Sequence, residues 1–326
     1  MKTLRGTFAL LAVSLASLTA TQAQDPLPSW NEGKTKESII AFVANVTKEG
    51  SSDFVPPAER IATFDNDGTL WCEQPVVELV FTEGKVKEMA AKDPSLKEKQ
   101  PFKAALEHDR AYFETGGMKT VLELVVATHA NTSQKDFEEE VGEFFKTAKH
   151  PKFGVPFSKT AYLPMVELLN YLRANGFQTW ICSGGWMDVM RGVAQEAYGI
   201  PPQQVIGSSM KEQWMEKSGQ YVLWLQPELL TICDHAGKPV NIDLHIGKRP
   251  VLAAGNVRTG GDIEMLRYCQ QRKGMPTFQL MVNHDDAVRE FAYGEKNHES
   301  LDAAKKNGWT VVSMKDDWKR VFAFER

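Results

Sequence analysis

Residues 60–71 read RIATFDNDGTLW. In this segment the apolar run Ile61–Phe64 ends in two carboxylates, Asp65 and Asp67, which one residue separates. Short apolar runs are typical of buried strands, and open α/β sheets bind ligands at the carboxyl ends of their strands. If the strand ends at Asp65, side-chain alternation directs both carboxylates into one crevice. We therefore expect Asp65 and Asp67 to share one small site at the end of a strand.

Repulsion between the two carboxylates limits what such a site can do. Two carboxylates stay close only if a cation lies between them or if one of them holds a proton, and both arrangements serve phosphoryl transfer. Gly68 permits a sharp backbone turn after the pair, and the hydroxyl of Thr69 can fix that turn. An Asp-rich surface turn is the alternative interpretation of these residues taken alone.

Later strand ends carry residues suited to bind a phosphoryl group. Phe177–Cys182 has the pattern of a strand and is followed by Ser183 and Gly184 ahead of a helix. A hydroxyl and free amides at a helix N-terminus form a cradle for an anion. Lys248 precedes the next apolar strand and can bridge a carboxylate and phosphate oxygens, with Arg249 as the alternative cation.

The strand that follows Lys248 ends in a loop with two further oxygen ligands. Asn256 lies in this loop, and Asp262 precedes the next helix. Either side chain can complete the coordination of a hard cation held by Asp65 and Asp67, and the sequence leaves open which of the two does so.

Composition and charge exclude several functions. The chain has 326 residues, a net charge of −4 and a pI near 6.0, so it lacks the basic footprint of a nucleic-acid-binding protein. None of the cysteines or histidines has the spacing of zinc ligands. Pairing of Cys233 with Cys269 remains open, as does the oligomeric state.

The first residues have the layout of an export signal. Residues 1–23 combine a basic start, an apolar run and small residues before Gln24, as in a cleavable signal peptide. The run is too short to span a bilayer, which takes about 20 apolar residues. We therefore expect a periplasmic or secreted protein with no stable membrane insertion.

The rest of the chain divides into an α/β core and a helical insertion. Strand and helix patterns alternate after residue 150, which predicts a doubly wound parallel, Rossmann-like sheet. Residues 75–150 show helical periodicity with almost no strand pattern. The predicted domains are therefore a signal peptide (1–23), an α/β core (24–74 and 151–326) and a helical cap (75–150).

Three local patterns complete this prediction. Helical spacing predicts helices over Pro101–Phe113 and Asp286–Phe291. Alternation over Met210–Leu244, broken at Ser218-Gly219 and Ala236-Gly237, predicts β-hairpins.

Taken in order, these segments resemble the four signature motifs of the haloacid dehalogenase superfamily. The resemblance extends over Arg60–Trp318 and is greatest to the phosphoserine phosphatase-like branch, which has a helical cap after the first motif. The matching segments are Asp65–Thr69, Ser183–Gly185, Lys248 and Gly255–Asp262.

The resemblance also implies roles for these residues. It implies that Asp65 is the nucleophile that forms an aspartyl-phosphate and that Asp67 is the general acid. It implies that Ser183, Gly184 and Lys248 hold the phosphate. It further implies a Mg²⁺ cofactor, whose ligands come from Asp65, the Asp67 carbonyl, Asn256 and Asp262.

The expected function is a secreted, Mg²⁺-dependent phosphomonoesterase that acts on small phosphate esters. Branch members that hydrolyse carbon–halogen bonds lack the second carboxylate, so Asp67 favours phosphate esters. A phosphotransferase or phosphomutase would use the same intermediate, and a non-catalytic periplasmic binder of a phosphorylated ligand is a third possibility. Candidates for the leaving-group pocket are Glu73, Gln74, Arg110 and His129.

Overall fold

The computed structural model describes residues 25–325, so the predicted signal peptide lies outside the described residues. No helix in this range combines the length and the apolar character that a bilayer crossing requires.

One sheet forms the centre of the fold. Its strands are β1 (Ile61–Phe64), β2 (Gln178–Trp186), β3 (Val205–Lys217), β4 (Gln220–Thr231), β5 (Leu252–Asn256), β6 (Phe278–Asn283) and β7 (Thr310–Ser313). They lie in the order β4-β3-β2-β1-β5-β6-β7, and every neighbouring pair is parallel except the hairpin of β3 with β4. The predicted doubly wound, Rossmann-like sheet is therefore confirmed, with an antiparallel strand at one edge.

Helices flank the sheet and fill the insertion between β1 and β2. They are α1 (Lys34–Thr47), α2 (Val77–Lys92), α3 (Phe102–Leu106), α4 (Arg110–His129), α5 (Gln134–Thr147), α6 (Leu163–Ala174), α7 (Met187–Tyr198), α8 (Gly237–Ile246), α9 (Ile263–Gln270), α10 (Glu299–Asn307) and α11 (Met314–Asp317).

Three local predictions were wrong. The second predicted hairpin is instead α8, whose early proline, Pro239, suits the first turn of a helix. The predicted helix Asp286–Phe291 is a turn, in which the Asp286 carboxylate accepts hydrogen bonds from two following backbone amides. The predicted helix Pro101–Phe113 is interrupted at His108, which has a left-handed backbone with φ of 54°.

Side-chain alternation along the strands divides the apolar core between the two faces of the sheet. In β5, Leu252 and Ala254 belong to one buried cluster, whereas Ala253 belongs to the other. Helices α1, α6 and α7 cover the first face, and α8, α9 and α10 cover the second. Both faces are buried, so polar side chains concentrate where the strands end.

The helices between β1 and β2 pack in two ways. Residues of α2, α3 and α4, among them Val86, Phe102 and Leu124, form a small apolar cluster of their own. Helix α5 instead buries its apolar face in the main core. There it approaches α7 so closely that a Cβ added to Gly192 would lie 2.5 Å from a methyl group of Val141.

Candidate active site

The end of β1 places two carboxylates at the edge of a cavity of about 580 Å³. The Asp65 amide still donates to the Ala254 carbonyl at 2.9 Å, so the strand geometry extends to Asp65. Because β2 and β5 flank β1 in parallel, their carboxyl ends meet at the same edge. Ser183 and Asn256 therefore line the cavity together with Asp65 and Asp67.

The turn after β1 requires glycine and orients Asp67. Gly68 has a φ of +69°, and a Cβ at this position would lie 2.6 Å from Glu73 Oε1. The Gly68 amide donates to the Trp71 carbonyl at 2.9 Å. The Trp71 indole in turn donates to Asp67 Oδ1 at 2.8 Å, which fixes this carboxylate at the cavity wall.

A buried lysine, Lys238, is the main cation of the site. Its ammonium donates to Asp65 Oδ1 at 2.7 Å and to Asp262 Oδ1, and its side chain is only 2% exposed. Burial alone would lower the pKa of Lys238, but Asp262 and Asp65 raise it well above its ordinary value. Lys238 therefore carries a positive charge directly beside the first carboxylate.

The position of Lys248 contradicts its predicted role. This lysine forms an ion pair with Glu59 at 2.6 Å and a hydrogen bond with the Ala58 carbonyl at 3.1 Å. Both partners precede β1, so Lys248 lies near the amino end of β1, whereas Asp65 lies at its carboxyl end. Arg249 donates to the Tyr268 carbonyl and does not line the cavity either.

Sequence reasoning missed Lys238 because it assigned the segment to a hairpin. The segment Gly237-Lys238-Pro239 is a usable signal for a helix start, since proline is favoured in the first turn. The β-branched residues that follow Pro239 weakened the helical pattern. Recognition of the helix α8 would have placed Lys238 in the first turn of that helix.

Ser183 and Gly184 line the cavity, but they lie within β2, which continues to Trp186, and not between a strand and a helix as predicted. Ser183 is 2% exposed, and its hydroxyl accepts a hydrogen bond from the Gly185 amide at 3.3 Å. The Gly184 carbonyl accepts from the Ser208 hydroxyl at 2.7 Å, which ties the end of β2 to β3. All four of these residues line the same cavity as Asp65.

Oxygen atoms converge on the side-chain nitrogen of Asn256. This Nδ2 atom lies 3.1 Å from Asp65 Oδ2, 2.8 Å from the Asp67 carbonyl and 3.5 Å from Asp262 Oδ2. Among residues 25–325, no three His, Cys, Asp or Glu side chains are grouped to hold a metal. Two carboxylates and one carbonyl nevertheless form the oxygen donor set that Mg²⁺ prefers. The residues present therefore fit a small divalent cation.

Asp67 has the properties of a proton donor near neutral pH. Burial, followed by the charges of Glu73 and Asp65, raises the pKa of Asp67 to about 7. Glu78, at the start of α2, accepts from the Trp186 amide at 2.7 Å, and burial together with Asp67 raises its pKa to about 8. The site therefore holds protonatable carboxyl groups beside the buried carboxylate of Asp65.

Of the four candidates for a leaving-group pocket, Glu73 lines the cavity, whereas Gln74, Arg110 and His129 do not. Glu73 is 1% exposed and accepts a hydrogen bond from Arg258, which also lines the cavity. This ion pair links the turn after β1 to the loop after β5.

Comparison with known proteins identifies the family. Residues 62–249 match the family described as haloacid dehalogenase-like hydrolase, over more than half of the chain. The chain belongs to this family. The predictions of the superfamily and of an enzyme are confirmed, and phosphatases of the superfamily generally use Mg²⁺. None of the curated proteins compared with the chain matches it.

Solved structures are similar to this haloacid dehalogenase-like hydrolase, and the two with TM-scores above 0.5 share its fold. A conserved protein of unknown function from Anaerococcus prevotii is 14% identical, with a TM-score of 0.57, covering 89% of this chain and 94% of that one. A protein of unknown function from Bordetella pertussis is 16% identical, with a TM-score of 0.51, covering 78% and 98%. A probable phosphoserine phosphatase from Vibrio cholerae is 13% identical, with a TM-score of 0.42, covering 86% and 69%.

Acid should destabilise the wild-type hydrolase through His129, which packs against Phe81, Phe137 and Trp186. Burial lowers the pKa of His129 from its ordinary value of 6.5 to about 3. Between these two pH values the imidazole is therefore protonated in the unfolded chain and neutral in the folded protein. The free energy of unfolding should therefore fall by about 2 kcal/mol from pH 7.5 to pH 5 through this group. His129→Phe keeps an aromatic ring and should lose this contribution. Urea unfolding of both proteins across this range measures it, and parallel pH profiles would contradict it.

Proposed function

We propose that this protein is an exported, Mg²⁺-dependent phosphomonoesterase that hydrolyses small phosphate esters through an aspartyl-phosphate. The observation that supports this most is the arrangement of Asp65 between the Lys238 ammonium and the oxygen cluster around Asn256, with Asp67 beside it. Export is proposed from the composition of residues 1–23.

Asp65 is the proposed nucleophile. One of its carboxylate oxygens attacks phosphorus, and the bond from phosphorus to the leaving oxygen breaks. Asp67 donates its proton to that leaving oxygen, since its pKa near 7 keeps a protonated fraction at neutral pH. Asp67 then accepts a proton from the water that hydrolyses the aspartyl-phosphate, which returns Asp65 as a carboxylate and releases phosphate.

Positive charge and hydrogen-bond donors make this attack possible. Asp65 and a phosphate ester are both anionic, so they approach each other only where cations offset their repulsion. Lys238 supplies one such charge, and the Ser183 hydroxyl and the amides near Gly184 are the proposed donors to the phosphoryl oxygens. A Mg²⁺ ion held by Asp65, the Asp67 carbonyl and Asp262 would supply the remaining neutralisation. Asn256 occupies the convergence point of these oxygens and would adjust to make room for the ion.

The helices between β1 and β2 are proposed to act as a cap. The start of α2 and the middle of α4 contribute Glu78, Leu79, Leu122 and Val125 to the lining of the cavity that also holds Asp65. Side chains in this position limit the access of water to the phosphoryl group. We therefore propose that residues 75–150 form the cap of a core that consists of residues 24–74 and 151–326.

Replacing the nucleophile should abolish turnover. The protein with MgCl₂ should release phosphate from p-nitrophenyl phosphate, and Asp65→Asn should reduce the rate by at least about 1,000-fold because an amide is a poor nucleophile. Chelation of the metal with EDTA should also remove activity, and added Mg²⁺ should restore it. Retained turnover by Asp65→Asn would refute the proposed intermediate. If phosphate release stayed at the background rate while calorimetry showed tight binding of a phosphate ester, the protein would instead be a non-catalytic binder.

Two lysines provide a matched pair of variants. Lys238→Met removes the buried charge beside Asp65 and should lower kcat/KM by at least about 100-fold. Lys248→Met removes an exposed charge at the opposite edge of the sheet and should change kcat/KM by less than about twofold. Circular dichroism should verify that both variants are folded. Equal losses in the two variants, or none in Lys238→Met, would contradict the assignment of Lys238.

A further inference from the structure

The cavity has two chemically different walls. Carboxylates, Lys238 and Arg258 line the wall at the strand ends. The lining contributed by α2, α4 and the last residue of β2 is mostly apolar, with Val76, Leu79, Val121, Leu122, Val125 and Trp186, and its polar members are Glu78 and Thr82. These apolar residues come mainly from the start of α2 and the middle of α4.

The cations of the cavity are already engaged. Lys238 contacts Asp65 and Asp262, and Arg258 contacts Glu73. Each lysine or arginine that lines the cavity therefore faces a carboxylate. A leaving group with a second anionic group would compete with these ion pairs, whereas an apolar group would remove water from the wall of α2 and α4.

We infer that the wall formed by α2 and α4 binds the leaving group of the substrate and that this leaving group is apolar, an alkyl or aryl alcohol. This inference rests on the proposed phosphomonoesterase activity. Asp67 lines the same cavity as these apolar residues, so the leaving oxygen would receive its proton beside the bound alkyl or aryl group. The cavity of about 580 Å³ is within the usual range for a site that holds a whole small molecule.

A series of linear alkyl phosphates tests this inference. Ethyl, butyl and hexyl phosphate have leaving alcohols of similar acidity, so the chemical step changes little along the series. Each methylene buried on the apolar wall should raise kcat/KM by about two- to fourfold until the cavity is filled. Glycerol phosphate, with a polar leaving group, should be hydrolysed more slowly than butyl phosphate.

Two variants on α4 separate binding from stability. Leu122→Asn places an amide on the cavity wall and should flatten the dependence on chain length by raising KM for hexyl phosphate. Val126→Asn makes the same kind of change at a partly buried position that does not line the cavity, and it should keep the dependence. No hydrolysis of any ester would refute the proposed function itself. Hydrolysis with glycerol phosphate preferred, or with no dependence on chain length, would refute the apolar pocket alone.

A second inference concerns two buried cysteines. Cys182 Sγ and Cys233 Sγ lie 3.6 Å apart, and neither residue is exposed. All four cysteines are free thiols in this structure, and Cys269 contacts Phe278 and Gln279 rather than Cys233. The nearest thiol to Cys233 is therefore that of Cys182, whereas the sequence had left open a pairing of Cys233 with Cys269.

We propose that Cys182 and Cys233 form a disulfide when the chain folds with oxidised glutathione. The thiolate of one cysteine attacks the glutathione disulfide and expels one glutathione, and the other cysteine then displaces the second. The two protein thiols lose two electrons and two protons, and glutathione gains them as two thiols. The new bond would join the residue before Ser183 to the segment that leads to Lys238.

Refolding the full chain in a glutathione redox buffer tests this proposal. Alkylation after unfolding without reduction should label Cys72 and Cys269 only, and peptide mapping should find a link between residues 182 and 233. The oxidised protein should melt roughly 5 °C above the reduced protein. Cys269→Ala, also fully buried, should keep this difference, whereas Cys233→Ala should lose it. Four labelled cysteines, or a link between another pair, would overturn the proposal even if Cys233→Ala fails to fold.

Discussion

The ammonium group of Lys238 lies between Asp65 and Asp262, and the candidate site depends on this contact. It joins three segments that are distant in sequence: the end of β1, the first turn of α8 and the residue before α9. Removing one partner of a buried ion pair leaves an uncompensated charge, which costs about 3–5 kcal/mol. The same interaction therefore contributes to the fold and positions the carboxylate of Asp65, the proposed nucleophile.

The charges around Lys238 do not balance, and this imbalance has a chemical use. Asp65 and Asp262 contact the Lys238 ammonium and Asp67 lines the same cavity, so this part of the site has more acidic than basic groups. Part of the excess is relieved by a proton, because the pKa of Asp67 is about 7. The oxygens that converge on Asn256 Nδ2 mark where a further positive charge would relieve the rest. The proposed general acid, Asp67, and the proposed cation site around Asn256 thus both follow from the close approach of several carboxylates.

The sequence predicted the parts of this site that depend on strand periodicity. The apolar run before Asp65, the turn at Gly68 and the Ser183 segment all have local signals, and parallel strand order brings their ends together. The local signal at Lys238, Pro239 in the first turn of α8, indicates a helix start but not a role in the site, because that role depends on where α8 packs. Lys248 was a candidate because it precedes β5 in the sequence. A residue before a parallel strand lies at the amino end of that strand, however, and the site lies at the carboxyl ends. The carboxylates could thus be predicted from local sequence patterns, whereas the identity of the lysine in the site could not, because it depends on tertiary packing.

The central position of β1 has a consequence for how the chain acquires its shape during synthesis. Asp65 is 173 residues from Lys238 and 191 residues from Asn256 along the chain. At about 5–20 residues per second, the ribosome completes β5 roughly 10 to 40 s after β1. During that interval β1 is an apolar segment without its partner on one side, and such segments are prone to aggregate. A chaperone that binds residues 61–64 in the nascent chain would therefore protect the strand on which Asp65 depends.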